Sequence, residues 1–201
     1  MKTSYNSKIR SKDKNKIVVN KLLEDLGALH KRYKKSALIL DSESLLTTTH
    51  LIKAGFKKDN IHIPNPYKIN AIKNKHKKVY NTLLGSLLEH MKNNNSFRKL
   101  PFSLAFFDYC SSFAGSKTTK IYPKEDIIKY FKYHYPDNDS IFAATVCLRT
   151  NKKSKGMCED INLLDSAITI SAYKNGYYAY KLPHGYGYNG MVWVVYRIMK
   201  R

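Results

Sequence analysis

A chain of 201 residues with 43% hydrophobic and 12% aromatic content is long enough to bury a core and reads as one domain, which excludes a disordered polyelectrolyte. Lysine and arginine outnumber aspartate and glutamate by 36 to 15, giving a net charge of +21 and a pI near 9.8. Such an excess is costly in self-repulsion unless a polyanion neutralises it, so it points to nucleic acid as partner and to salt-sensitive binding.

Residues 1–16 carry Lys2, Lys8, Arg10, Lys12, Lys14 and Lys16 among small polar neighbours and read as a flexible basic arm, ahead of one α/β domain over 17–201. Ile17 to Tyr33 reads as an amphipathic helix, because Leu22, Leu26, Leu29 and Tyr33 share a face. From Ser36 onward, short apolar runs alternate with helical stretches, the signature of a sheet with crossover helices. The first strand is Ala37 to Leu40, followed by a helix from about Ser44 to Ala54 that stops at Gly55. The second is Ile61 to Ile63, ended by Pro64-Asn65-Pro66.

A helix over Tyr67 to His76 leads to a third strand, Val79 to Leu84, after which Gly85-Ser86 opens a helix to Lys92. One helix across Val79 to Lys92 is the alternative. Ser103 to Phe107 is a continuous apolar run of the kind buried on both faces of a parallel sheet. Pro123, with Glu125 and Asp126 near the positive end, starts a helix whose expected core face is Ile127, Ile128, Phe131 and Tyr135 and whose expected stop is Pro136. Ile141 to Cys147 is a further buried strand, followed by a basic loop and a helix over Ile161 to Tyr173. Tyr177 to Leu182 and Met191 to Ile198 close the chain as an antiparallel hairpin with a wide turn.

The three cysteines, Cys110, Cys147 and Cys158, are an odd number without CxxC spacing, which argues against a disulfide scaffold and a zinc site. The seven histidines show no paired ligand spacing, so no metal is expected; His50, His62 and His184 could reach a site, although core or solvated roles fit them better. Met1 to Ser4 open no apolar signal core, and no run approaches the roughly 18 apolar residues of a membrane span. A reducing intracellular compartment, cytoplasm or nucleus, is therefore expected, with no membrane partner. The bias toward Lys, Asn, Ile and Tyr hints at an A/T-rich coding genome, as in a virus or a parasite.

In an open α/β sheet, ligands bind beyond the carboxyl ends of the strands where the strand order reverses, which selects the loops at Asp41 to Ser44, Pro64 to Tyr67, Gly85-Ser86, Asp108 to Ser112 and Arg149 onward. With these loops and the terminal hairpin, the chain from Ser36 to Arg201 resembles the class I S-adenosylmethionine-dependent methyltransferases, a Rossmann-like three-layer sandwich with a mostly parallel sheet. The resemblance implies that LILDSES, with Asp41, Ser42 and Glu43, stands where that family holds the methionine part of the cofactor S-adenosylmethionine. Asn65 stands at the ribose-binding end of the second strand, and Gly85 and Ser86 of LLGSLLEHM on the adenine side. FFDYCSSF occupies the position of the catalytic loop, which makes Asp108 and Tyr109 the catalytic candidates. A carboxylate there can accept a hydrogen bond from the methyl acceptor and orient it, and the tyrosine could stack on an extruded base.

Cys110 and Cys147 each lie near a strand end and could act as thiolate nucleophiles on a pyrimidine ring, or simply as small buried hydrophobes. Lys117, Lys120, Arg149, Lys152, Lys153 and Lys155 follow strand ends on the same edge and would line it with positive charge for nucleic acid. Tyr177, Tyr178, Tyr180, Tyr186 and Tyr188 could add stacking surfaces, although tyrosine also suits strands. The function expected is methyl transfer to RNA or DNA. The cofactor turn lacks the usual glycines, which leaves a non-catalytic nucleic-acid-binding module on the same fold as the alternative, and a homo-oligomer or protein partner could complete the site. A nucleotide-processing enzyme is disfavoured, because neither a P-loop nor GxGxxG occurs.

Overall fold

The computed structural model describes residues 19–27, 35–41, 45–65, 81–84, 101–109, 111–115, 121–147, 156–183, 187–188 and 191–201, with the side chains of 65, 81–84, 156–160 and 187–188 left aside. The expected basic arm, the helices over Tyr67 to His76 and Leu87 to Lys92, and the basic loops lie outside the described residues.

Helix α1 (19–27) precedes strand β1 (Ser36–Ile39), helix α2 (Leu46–Lys53), a 3-10 turn (Lys58–Asn60) and β2 (Ile61–Asn65). Next come β3 (Asn81–Leu84), β4 (Phe102–Asp108), helix α3 (Pro123–Lys132) and β5 (Pro136–Cys147). Helix α4 (Gly156–Lys174), β6 (Tyr177–Lys181), β7 (Gly187–Tyr188) and β8 (Met191–Lys200) complete the order. All the described strands join one eight-stranded sheet in the order β3-β2-β1-β4-β5-β8-β6, with β7 paired to β8. The first five strands are parallel; β8 runs antiparallel between β5 and β6.

Alternation along the strands splits the core between the two faces of the sheet. Leu38, Ala105, Phe107, Phe142 and Val194 face one way, under Ile127, Tyr130 and Phe131 of α3 and Leu164 and Ile168 of α4. Ala37, Ile39, Leu104, Phe106, Ile141 and Trp193 face the other, under Val19 and Leu23 of α1 and Leu51 of α2. The apolar run of β4 is buried along nearly its whole length because both faces are covered.

Four expectations are corrected. The buried stripe of α1 is Val19, Leu23 and Gly27, with Leu22 and Leu26 only flanking it, because the helix backbone rests on Phe56: a Cβ on Gly27 would lie 3.1 Å from that ring. Pro64 does not end β2; it pairs with Leu83 of β3, beyond the point where pairing to β1 stops at His62, so the ladder on that side loses nothing to its missing N–H. Ile128 is 38% exposed, and α3 ends at Lys132, with His134 two residues on at a left-handed φ of 54°, rather than at Pro136. Pro136 instead begins β5, opposite Phe102. No helix among the described residues is long and apolar enough to cross a membrane.

Candidate cofactor and acceptor site

The strand order reverses between β1 and β4: the chain steps from β1 to β2 and β3 on one side, then crosses to β4 on the other. Ile39 is in register with Phe106, and Leu40 N–H donates to the Phe106 carbonyl at 2.9 Å. Asp41 and Asp108 therefore each lie two residues past that pair, on neighbouring strands at the same carboxyl edge.

Asp41 is 3% exposed, and its Oδ2 accepts from the Thr48 backbone N–H and from Thr48 Oγ1, both at 2.8 Å. Leu45, the residue flanking α2, is left-handed with φ 51° and makes no capping bond, so Asp41 satisfies a first-turn donor from across the turn. Beside it, Thr47 Oγ1 donates to Asn20 Oδ1 at 2.8 Å, while the buried Asn20 Nδ2 finds no acceptor among the described residues. His50 Nδ1 meets Glu24 Oε2 at 2.7 Å, a second tie between α1 and α2. Asn65 is the last residue of β2, in register with Leu84 of β3, which brings the Asn65 backbone and the segment leading to Gly85 to one edge. Ser42, Glu43, Gly85 and Ser86 lie outside the described residues.

Asp108 ends β4 partly exposed, in register with Thr145 of β5. Tyr109 N–H donates to the Thr145 carbonyl at 3.0 Å, and Cys147 N–H to the Ser111 carbonyl at 2.8 Å, which seats the loop after β4 against the end of β5. Gly115 closes the loop at φ 80°; a Cβ there would stand 2.4 Å from the Ile121 carbonyl. The expected stacking role of Tyr109 is corrected: its ring is 1% exposed, edge-on to Phe107, and its hydroxyl donates to Asp126 Oδ2 at 2.8 Å. Cys147 is a buried free thiol, whereas Cys110 lies outside the described residues.

Asp126 is the site feature that sequence reasoning missed, having been read only as a charge favourable to the start of α3. Burial pushes its carboxyl up to about 8, against the opposing pull of the Tyr109 hydrogen bond, and Oδ1 has no partner among the described residues. The available signal was its helical spacing, since Asp126 precedes Tyr130 by one turn on the buried face. His62 is buried edge-on to Phe102 at 5.4 Å, and burial holds it down near 4, so it is neutral in the core rather than directed at the site. Lys117, Lys120, Arg149, Lys152, Lys153, Lys155 and His184 lie outside the described residues. Among the described residues no cluster of His, Cys, Asp or Glu could hold a metal ion.

No protein-family model matches the sequence, and neither does any curated protein. Solved structures do resemble the chain. An O-methyltransferase from Bacillus cereus in complex with SAH superposes with a TM-score of 0.59 at 13% identity, over 90% or more of this chain (91%) and 81% of that one. Trm1 from Pyrococcus horikoshii, in complex with S-adenosyl-L-methionine, gives 0.62 at 8% identity, over 90% of this chain and 54% of that one. The fibrillarin pre-rRNA processing protein of Methanococcus jannaschii gives 0.54 at 11% identity, over 83% and 67%. The strand order, the reversal at β1 and β4 and these superpositions together show that the chain has the fold of the class I S-adenosylmethionine-dependent methyltransferases.

Proposed function

We propose that this protein is an S-adenosylmethionine-dependent methyltransferase acting on nucleic acid, RNA or DNA. The observation that carries the reading is the placement of Asp41 and Asp108 at the carboxyl ends of adjacent parallel strands at the reversal point, one bonded to the first turn of α2 and one partly open to solvent. The chemistry present fits the cofactor's methionine part, which bears one positive and one negative group. An acid, the amide end of α2 and the partnerless Asn20 amide lie at that turn. Asp41, Ser42 and Glu43 are assigned to the methionine part, Asn65 to the ribose, and Gly85 and Ser86 to the adenine side of the cofactor. When bound, the cofactor supplies a methyl group on a sulfonium, which needs alignment of the acceptor rather than a metal.

Asp108 is assigned to accept a hydrogen bond from an acceptor amine or hydroxyl and fix its direction. Backbone bonds from Tyr109 to Thr145 and from Cys147 to Ser111 seat the loop that follows Asp108. The net charge of +21 and the basic residues Lys117, Lys120, Arg149, Lys152, Lys153 and Lys155 support a phosphate-rich acceptor. The fibrillarin and Trm1 resemblances are in keeping with it.

One observation favours a second reading, a non-catalytic nucleic-acid-binding module: Asp41 is buried and already engaged by Thr48, as a purely structural cap would be. Calorimetric titration with S-adenosylmethionine and its demethylated product separates the two. Saturable binding followed by transfer of labelled methyl to RNA or DNA establishes the enzyme; a folded protein that binds nucleic acid and neither cofactor form sinks it.

A further inference from the structure

The sheet ends on β6, and that edge carries aromatic rings the core does not use. Tyr177 and Ala179 turn into the α3 and α4 side of the core, so alternation sends Tyr178 and Tyr180 to the opposite face, where they are 46% and 53% exposed. Their ring centroids lie 6.2 Å apart. Across the ladder, Tyr180 is in register with Arg197 and Tyr178 with Met199. Two hydrogen bonds of 3.0 Å to Asp139 hold the Arg197 guanidinium as a fixed plane. At the start of the strand, the Arg201 guanidinium sits 4.4 Å over the Tyr173 ring and 5.9 Å from that of Tyr178. It is anchored on the Tyr173 carbonyl, which leaves its charge intact.

We propose that this Tyr173, Tyr178, Tyr180, Arg197 and Arg201 surface is a docking platform for single-stranded nucleic acid. Exposed aromatic faces interleaved with guanidinium groups stack on bases of any sequence, while the positive charge tracks the phosphates. A second copy of the chain is the other occupant an edge strand invites, yet it would bring its own +21 to the same surface, whereas a polyanion is complementary to it. Through the ladders, Tyr180 lies level with Leu104 of β4 and Tyr178 level with Asp139 of β5, so the platform sits toward the amino-terminal side of the sheet, apart from Asp108.

The proposal rests on the nucleic-acid part of the function argued above and not on catalysis, so both are measured. Fluorescence anisotropy with labelled oligouridylate and oligothymidylate, beside a duplex of equal length, is expected to show preference for the single strands. In the Y178A/Y180A double variant that affinity falls about tenfold or more. Y178F/Y180F, which keeps the rings, stays within about twofold of wild type, as does Ile170→Ala on the exposed side of α4. Cofactor binding by calorimetry is unchanged in every variant; its absence in wild type would count against the methyltransferase and leave the platform standing. Should the alanine variant not fold, photocrosslinking of a thiouridine-substituted oligonucleotide to wild type decides, with adducts expected on Tyr178 or Tyr180. Unchanged affinity in the folded alanine variant, adducts confined to other segments, or a dimer that the variant dissolves with nucleic-acid binding intact would each overturn the proposal.

Discussion

The hydroxyl of Tyr109 donates a 2.8 Å hydrogen bond to Oδ2 of Asp126, joining the end of β4 to the first turn of α3 inside the core. Asp126 is protonated there up to about pH 8, while the unfolded chain ionises it near its ordinary value of 3.8. The folded state therefore holds one more proton between those values, and stability falls as pH rises through that window, by about 1.4 kcal/mol per pH unit. Asp126→Asn keeps an acceptor for Tyr109 and has nothing to ionise. Urea unfolding from pH 6.5 to 8 is expected to show the downward slope in wild type and its loss in the variant; equal slopes would mean that Asp126 is charged in the fold.

His62 works in the opposite sense. Its folded value near 4 lies below the ordinary 6.5, so as pH falls the unfolded chain takes up a proton first, and the contribution of His62 to stability declines from pH 6.5 toward 4. Over that range it offsets the Asp126 contribution, so His62→Gln is expected to leave stability rising as pH falls from 6.5 toward 4, with the limb above pH 6.5 unchanged. Paired unfolding curves for the two variants show whether the limbs separate in this way.

Asp41→Ala removes the acceptor for two donors of Thr48 and is expected to cost about 1–2 kcal/mol, whatever it does to the cofactor. Thr48→Val removes only the hydroxyl bond, so it is expected to cost about 1 kcal/mol and leave cofactor affinity unchanged. Melting curves read beside calorimetry distinguish a lost cap from a lost ligand contact. Cofactor affinity that drops equally in both variants would make the cap, not the carboxylate, the reason.

Asp108→Asn is expected to lower methyl transfer about 10²- to 10⁴-fold with cofactor affinity within about twofold, since the residue is assigned to the acceptor alone. Single-turnover assays with saturating cofactor provide the check. A variant that transfers methyl at the wild-type rate removes Asp108 from the acceptor site.

Much of the sheet was legible because its signals are local. The apolar run of β4, Pro123 at the head of α3, and Gly55 at a left-handed φ of 99° just past α2 each read correctly from a few neighbouring residues. The face of α1 did not, because Leu22/Leu26 and Val19/Leu23 are adjacent stripes on one helix, and the choice between them is made by Phe56, far along the chain. The burial of Tyr109 was readable in retrospect: it lies two residues past Phe107 and shares its face, so the strand's alternation continues one step past its end. The occupation of Asp41 by Thr48 crosses a turn and carries no spacing rule. The unpartnered carboxyl oxygen of Asp126 depends on packing that no local pattern encodes.

The place of β8 between β5 and β6 has a consequence for how the protein is made. β5 is a 12-residue strand with an apolar, almost fully buried run from Ser140 to Cys147, and one of its two edges is closed only by β8, which follows much later in the chain. β6 likewise pairs only with β8 among the described strands. While the ribosome is still working through α4 and β6, the growing chain presents an open apolar edge able to pair with any neighbouring strand. A chain that lacks β8 is therefore expected to be aggregation-prone.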